Sequence, residues 1–240
     1  MRIGIIGAMD VEIAALREQM EIRDIVTAAR MTFYQGRLGT TETVLVKSGV
    51  GKVNAAVCVQ LLADRFQVTH IINTGVAGSL DGRIDIGDIV VSADAMYHDV
   101  DAVIFGYHKG EIPQMGITAF PADPVLRRAA LEAIRTAAPE IHSFEGTVLS
   151  GDQFISTHDK KEELMRNFNG MCAEMEGAAI AQTAWLNRIP YVILRAISDK
   201  ADESAEESYD EFEEKAARHC AAIVSCMVKN LPASALCPTD

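Results

Sequence analysis

The sequence is poor in positive charge. It has 22 Lys and Arg against 34 Asp and Glu, a formal net charge of −12. An acidic surface repels a phosphate backbone and anionic lipid headgroups alike, so neither nucleic acid nor a membrane surface is an expected partner. Long apolar runs are also missing: none approaches the roughly 20 residues of a membrane-spanning helix. The opening Met1-Arg2-Ile3-Gly4-Ile5-Ile6-Gly7 has too short an apolar run for a secretory signal and reads as a buried first strand. The five cysteines, Cys58, Cys172, Cys220, Cys226 and Cys237, are scattered and form no CxxC pair. That odd, widely spaced set argues against a zinc cluster and fits a reducing, cytoplasmic compartment without structural disulfides. Most of the cysteines are expected to serve as small buried hydrophobes. No linker, internal repeat or low-complexity segment interrupts the chain.

What is present suits one α/β domain over residues 1–231, with Pro232–Asp240 as a frayed tail. Of the 240 residues, 49% are hydrophobic, enough to fill a core. Short Ile- and Val-rich runs predict strands at Ile3–Ile6, Phe33–Arg37, Thr43–Lys47, His70–Asn73, Ile89–Ser92, Gly146–Ser150 and Tyr191–Ala196. Several are apolar on both faces, as in strands sandwiched between helices. Helical patterns cover Val11–Gln19, Lys52–Arg65, Pro124–Ala137, Lys160–Arg166, Glu176–Leu186 and Tyr209–Lys229. This order predicts a mostly parallel or mixed sheet, with an early hairpin and flanking helices. The acidic stretch Ala201–Glu214 reads as a loop into the last helix, with Asp210 or Ser208 near its N-cap. A long irregular stretch, Asp94–Asp123, is expected to be functional or to lie at an interface.

Two familiar motifs fail. Gly4 and Gly7 lack GxGxxG spacing, and Gly51-Lys52 lacks both the Ser/Thr and the first Gly of a P-loop, positions held by Val53 and Val46. His98, Asp99, Asp101 and His108 have no recognised metal-ligand spacing and read as solvated loop polars or a hydrogen-bonded set. Stronger signals lie where strands end. Asn73-Thr74-Gly75-Val76-Ala77-Gly78 places two glycines beyond a strand, either as an ordinary turn or as a loop approaching a flat ligand. Ser150-Gly151-Asp152-Gln153-Phe154-Ile155 offers an aromatic that packs in the core or stacks on a base. In Glu174-Met175-Glu176, two carboxylates point one way if the backbone is extended, and such a carboxylate accepts both hydroxyls of a ribose. The other reading is an acidic helix N-terminus. Arg195 and Asp199 lie at the end of an apolar strand, as a structural ion pair with an N-cap or as a site with a perturbed acid. Glu12, after Gly7-Ala8-Met9, sits in a first helical turn, where an acid is unremarkable.

Taken in order, these segments together with Lys47-Ser48-Gly49-Val50-Gly51-Lys52 resemble the 5′-methylthioadenosine/S-adenosylhomocysteine nucleosidases of the purine nucleoside phosphorylase-like superfamily. The resemblance runs from Ile3 to about Leu231. It implies a three-layer α/β/α fold around a central mixed sheet, a homodimer and no cofactor or metal. It further implies that Asp199 protonates adenine N7 and Glu12 activates the attacking water. Glu176 would hold the ribose hydroxyls, with Met175 against the sugar. Phe154 would stack on adenine and the Ile155 backbone would read its edge. Ser198 would support Asp199, and Arg195 would support Glu12. Met9, Ala77, Gly78 and Glu174 complete the expected substrate contacts, and Phe105 and Pro113 would reach the 5′-alkylthio pocket of the partner subunit. The chain departs from the familiar pattern at Val76, where a Ser is common, and at Gly177-Ala178-Ala179 in place of Ala-Thr-Ala.

The chemistry sets a physical demand. Cleaving an N-glycosidic bond leaves positive charge on the sugar and negative charge on the base, so one carboxyl must be protonated and another ionised. An ordinary Asp, with a pKa of ~3.9, is protonated about one part in a thousand at neutral pH, a shortfall of roughly 4 kcal/mol. Burial is expected to raise Asp199, while Glu12, beside Arg195, is expected to stay ionised. A phosphorylase would need arginines or a backbone nest where water attacks, and the first loop offers Met9, Asp10 and Glu12 instead. Hydrolysis is therefore expected. The alternatives are a purine nucleoside phosphorylase, an aminofutalosine hydrolase and a non-catalytic nucleoside-binding domain.

Overall fold

Ile3, Ile5 and Ile6 are all fully buried on the first strand, β1 (Arg2–Gly7). A strand that buries successive residues must be covered on both faces. The computed structural model describes residues 1–202 and 204–231, apart from the side chains of residues 206–208, 210 and 211. After β1 come α1 (Asp10–Gln19), β2 (Glu21–Ala28), β3 (Met31–Leu38), β4 (Thr41–Lys47), α2 (Lys52–Asp64), β5 (His70–Ser79) and β6 (Ile89–Tyr97). A 3-10 turn at Val103–Phe105 precedes β7 (Phe120–Pro121), α3 (Pro124–Ala137), β8 (Ser143–Ser150) and α4 (His158–Phe168). The chain continues through β9 (Cys172–Glu174), α5 (Gly177–Leu186), β10 (Tyr191–Asp199) and α6 (Ala205–Asn230).

One mixed sheet holds these strands in the order β10-β6-β8-β9-β5-β1-β4-β3-β2, with β7 on β6. β1 lies between β4 and β5, parallel to both. β5 also pairs in parallel with β10 and, at its far end, antiparallel with β9. Strands β5, β10, β6, β8 and β9 therefore close into a ring, and β1 to β4 extend from it as an open wing. One face of the sheet is covered by α2 and α5 through Ala55, Cys58, Leu62, Ala178 and Ile180. The other is covered by α1, α3 and α6 through Ile13, Leu16, Leu126, Ala130, Ala221 and Val224. This is the expected three-layer α/β/α arrangement. The four described cysteines are free, and Cys58, Cys172 and Cys220 are buried.

The structure changes several expectations. β5 does not turn at its glycines: the backbone stays extended from His70 through Gly75 and Gly78 to Ser79. β10 likewise runs past the expected Ala196 to Asp199, so Asp199 is the last residue of the strand. β6 takes the first residues of the stretch expected to be irregular. α6 begins at Ala205 with Ser204 in the N-cap position, so much of the acidic stretch is helical and neither Ser208 nor Asp210 is the cap. The expected tail, 232–240, lies outside the described residues.

Candidate active site

Gly75 and Gly78 are small because charged side chains press against β5, not because the chain turns. A Cβ on Gly75 would overlap the Arg195 guanidinium and the Glu12 carboxylate, and one on Gly78 would lie 2.6 Å from Asp199 Oδ1. The parallel register sets Arg195 beside Gly75 and Asp199 beside Gly78. The strand's missing side chains thus make room for a buried polar cluster at the carboxyl ends of β5 and β10, where open α/β sheets place their ligands.

Arg195 is fully buried. Its Nη2 donates to Glu174 Oε2 and, at 2.7 Å, to Asn73 Oδ1. Glu176 Oε2 lies 3.6 Å away and Glu12 Oε1 lies 4.0 Å from Nη1. One guanidinium thus serves three carboxylates. Glu174 is the most fully engaged. It also accepts from the Ser150 hydroxyl, from the Gly177 N–H and, at 3.2 Å, from the Glu176 N–H. It therefore caps the N-terminus of α5, as the structural reading of this acid anticipates. Arg195 was expected to serve Glu12, but its hydrogen bonds go to Glu174 and Asn73.

Glu12 is held by backbone. Its Oε2 accepts from Ala8 N at 2.6 Å and Met9 N at 3.1 Å, and its Oε1 accepts from Val76 N at 3.0 Å. The Val76 contribution is a main-chain N–H, so Ser or Val at this position leaves that bond intact. Burial nonetheless pushes Glu12 above its ordinary value, against the pull of Arg195 and the three N–H groups. Arg195 is thus one of several groups that favour the Glu12 anion, and its guanidinium is shared with Glu174 and Glu176. Asp199, also buried, accepts from Ala201 N at 2.8 Å and the Ser198 hydroxyl at 2.9 Å. Burial raises it, as expected, against those two donors. Glu176 accepts the Gly51 N–H at 2.8 Å and is pushed up to about 7, by burial first and the neighbouring Glu174 second.

These groups meet in a cavity of about 450 Å³. Its walls include Met9, Glu12, Ala77, Gly78, Phe154, Glu174, Met175, Glu176, Ser198 and Asp199. The structure thus brings together most of the residues singled out in the sequence. Ile155 is buried in a small cluster with Leu80 and Leu164. Arg195 lies behind the wall. Phe105, 80% exposed, and Pro113 do not line this chain's own cavity. Sequence reasoning gave no site role to Ala8, Val50, Val76, Ser156, Ala173 and Tyr209, which do. Tyr209 meets Phe154 edge to face at 5.9 Å, and its hydroxyl contacts Met9 Sδ at 3.3 Å and Glu213 at 2.9 Å. Only an earlier start to α6 reveals its position. Of the residues weighed as metal ligands, His98 is buried, contrary to a solvated loop position, and Asp99 pairs with Lys52. Among the described residues no group of three His, Cys, Asp or Glu side chains could hold a metal ion.

Residues 2–229 match the Phosphorylase superfamily. The 5′-methylthioadenosine/S-adenosylhomocysteine nucleosidase of Staphylococcus saprophyticus is 45% identical over 230 residues, 95% of this chain and 100% of that protein. The fold is similar to that of the Neisseria meningitidis nucleosidase of the same name, solved with methylthio-immucillin-A. There the TM-score is 0.92, with 41% identity over 96% of this chain and 99% of that one. It is also similar to a futalosine hydrolase of Helicobacter pylori, at TM-score 0.91 and 33% identity over 96% and 98% of the two chains.

Proposed function

The chain belongs to the 5′-methylthioadenosine/S-adenosylhomocysteine nucleosidases of the phosphorylase superfamily, and we propose that it hydrolyses the N-glycosidic bond of these two nucleosides to adenine and the 5-thio-ribose product. Asp199 gives its proton to adenine N7 as the bond between the base and the anomeric carbon breaks and its electron pair moves onto the base. Water attacks the anomeric carbon and loses its proton to Glu12. The two carboxyls divide the roles by their donors. Glu12 has three backbone N–H groups and a guanidinium at 4.0 Å to favour its anion. Asp199 has one N–H and one hydroxyl, so less opposes the burial that favours its proton. Glu176 takes the ribose hydroxyls with Met175 against the sugar, and Phe154 stacks on the base while the Ile155 backbone reads its edge. Arg195 holds the carboxylates in place, and Ser198 orients Asp199.

The observation that carries hydrolysis is the charge of the wall. Four carboxylates, Glu12, Glu174, Glu176 and Asp199, line the cavity, and no Lys or Arg is among the described residues that do. Phosphate in place of the attacking water would find no cation on this wall to bind it and would face the Glu12 and Glu174 carboxylates. Phe105 and Pro113 complete the 5′-alkylthio pocket of the other subunit of a homodimer, and the enzyme works in the cytoplasm. A chain that sediments as a monomer and turns over fully would remove that role for the two residues.

The decisive assay incubates the protein with methylthioadenosine, S-adenosylhomocysteine, aminofutalosine, adenosine and inosine, each with and without phosphate, and separates base and sugar by chromatography. Phosphate-independent adenine release from the two thio-nucleosides, lost in Asp199→Asn, is expected. Strict phosphate dependence with a sugar 1-phosphate product would make the chain a phosphorylase. Release from aminofutalosine alone would move the substrate to the futalosine branch.

A further inference from the structure

Helix α2 has no side-chain cap of its own. Gly51 occupies its N-cap with φ of 98°, and the first N–H groups are taken by carboxylates from other parts of the chain. Gly51 N donates to Glu176 Oε1 at 2.8 Å, and Lys52 N donates to Asp152 Oδ1 at 2.9 Å. The Lys52 ammonium meets Asp99 Oδ2 at 2.5 Å and lies 3.7 Å from Asp152 Oδ2, with the Tyr97 ring centre 5.4 Å away. The Asp152 N–H donates to the same Asp99 oxygen at 3.0 Å. One amine therefore ties together the segments that follow β4, β6 and β8. The Lys52 and Asp99 side chains are only 24% and 15% exposed, so water screens this contact less than an ordinary surface pair. Burial acts to raise Asp99, yet the bonds from Lys52 and from the Asp152 N–H bring it below its ordinary value. None of the three residues lines the cavity.

We propose that Lys52 is a positioning residue for Glu176. Clamped between Asp99 and Asp152, it fixes the start of α2 so that the Gly51 N–H and the positive end of the helix hold one oxygen of Glu176. That leaves Oε2, 3.6 Å from Arg195, for the sugar hydroxyls. A loosened clasp lets Glu176 swing without disturbing the base side of the cavity, where Phe154 and Asp199 sit. The inference rests on Glu176 as the ribose ligand, so its test compares a ligand with the sugar and one without.

Lys52→Met is expected to raise KM for methylthioadenosine about tenfold, while the inhibition constant of adenine stays within about twofold. Lys52→Arg restores most of the loss, because it again reaches both aspartates. Asp99→Asn, nearly isosteric, shifts the same ratio and serves if the methionine variant folds poorly by thermal unfolding. Parallel changes in KM and adenine affinity, or no change in either, would overturn the proposal. Glu176→Gln separates the two levels: if it leaves the ratio of the two constants at its wild-type value, the sugar assignment falls and the role of Lys52 falls with it.

Discussion

Two residues show how closely the chemistry is built into the backbone. Gly75 exists to let Arg195 and Glu12 lie flat against β5, so any Cβ there displaces a buried ion cluster. Gly75→Ala is expected to destabilise the fold by about 3 kcal/mol, read as a lower urea midpoint, and to remove turnover. Ser198 donates to the ionised form of Asp199. Without that donor the anion is less favoured and the raised pKa rises further. Because Asp199 must be protonated to act, activity falls as pH rises through its pKa. Ser198→Ala is therefore expected to move the alkaline limb of the kcat/KM profile to higher pH, and a limb that stays put or moves down would sink the assignment. At this scale Glu176 and Asp199 were legible as acids in an apolar setting, whereas Glu12 looked like an ordinary first-turn acid and was picked out only by the family resemblance; all three reach the cavity. Glu12 was expected beside Arg195, but the hydrogen-bond partners of Arg195, Asn73 and Glu174, were not legible, because they come from distant segments that only the sheet register brings together.

Among the elements, α3 is the most self-sufficient. Asp123 caps it through the Val125 and Leu126 N–H groups at 2.9 and 2.8 Å, with Pro124 at the first helical position. This helix is far from the cavity in sequence and supplies none of its lining. Asp123→Ala should cost about 1 kcal/mol, a Tm drop of about 2–4 °C, with kcat and KM unchanged. Its span is also the one the residue pattern gives without error, since cap, proline and apolar stripe agree. Strands β2 and β9 went unpredicted for opposite reasons. β2 is almost wholly exposed, so its Glu21-Ile22-Arg23-Asp24 run carries no inward alternation. β9 has three residues and exists only because β5 and β8 flank it. β5 was read too short because glycines normally end a strand, whereas here they admit side chains from β10 and α1.

For the whole molecule, the buried acids and the buried histidines act on stability in opposite directions: burial lowers His70 and His98, whose contribution grows as pH rises. Burial raises Glu12, Asp199 and Glu176, the last to about 7. A carboxyl held above its ordinary value stabilises the fold while it carries its proton. That contribution is full below about pH 4.5 and fades as pH rises through about 7. The carboxyl contribution to Tm should therefore fall across this window, and Glu176→Gln, which cannot ionise, should make the slope of Tm against pH less negative than in the wild type. An equal slope in both proteins would contradict the shift. The crowding of three carboxylates around one guanidinium has a thermochemical consequence as well. Near neutral pH the empty cavity holds part of a proton on Glu176, and hydroxyls that donate to this group favour its anion. Binding a nucleoside then expels that fraction into the medium. Calorimetric heats of binding at pH 7 should differ between Tris and phosphate by the buffers' own ionisation enthalpies, so that the enzyme in effect titrates its solvent each time it takes up a ligand.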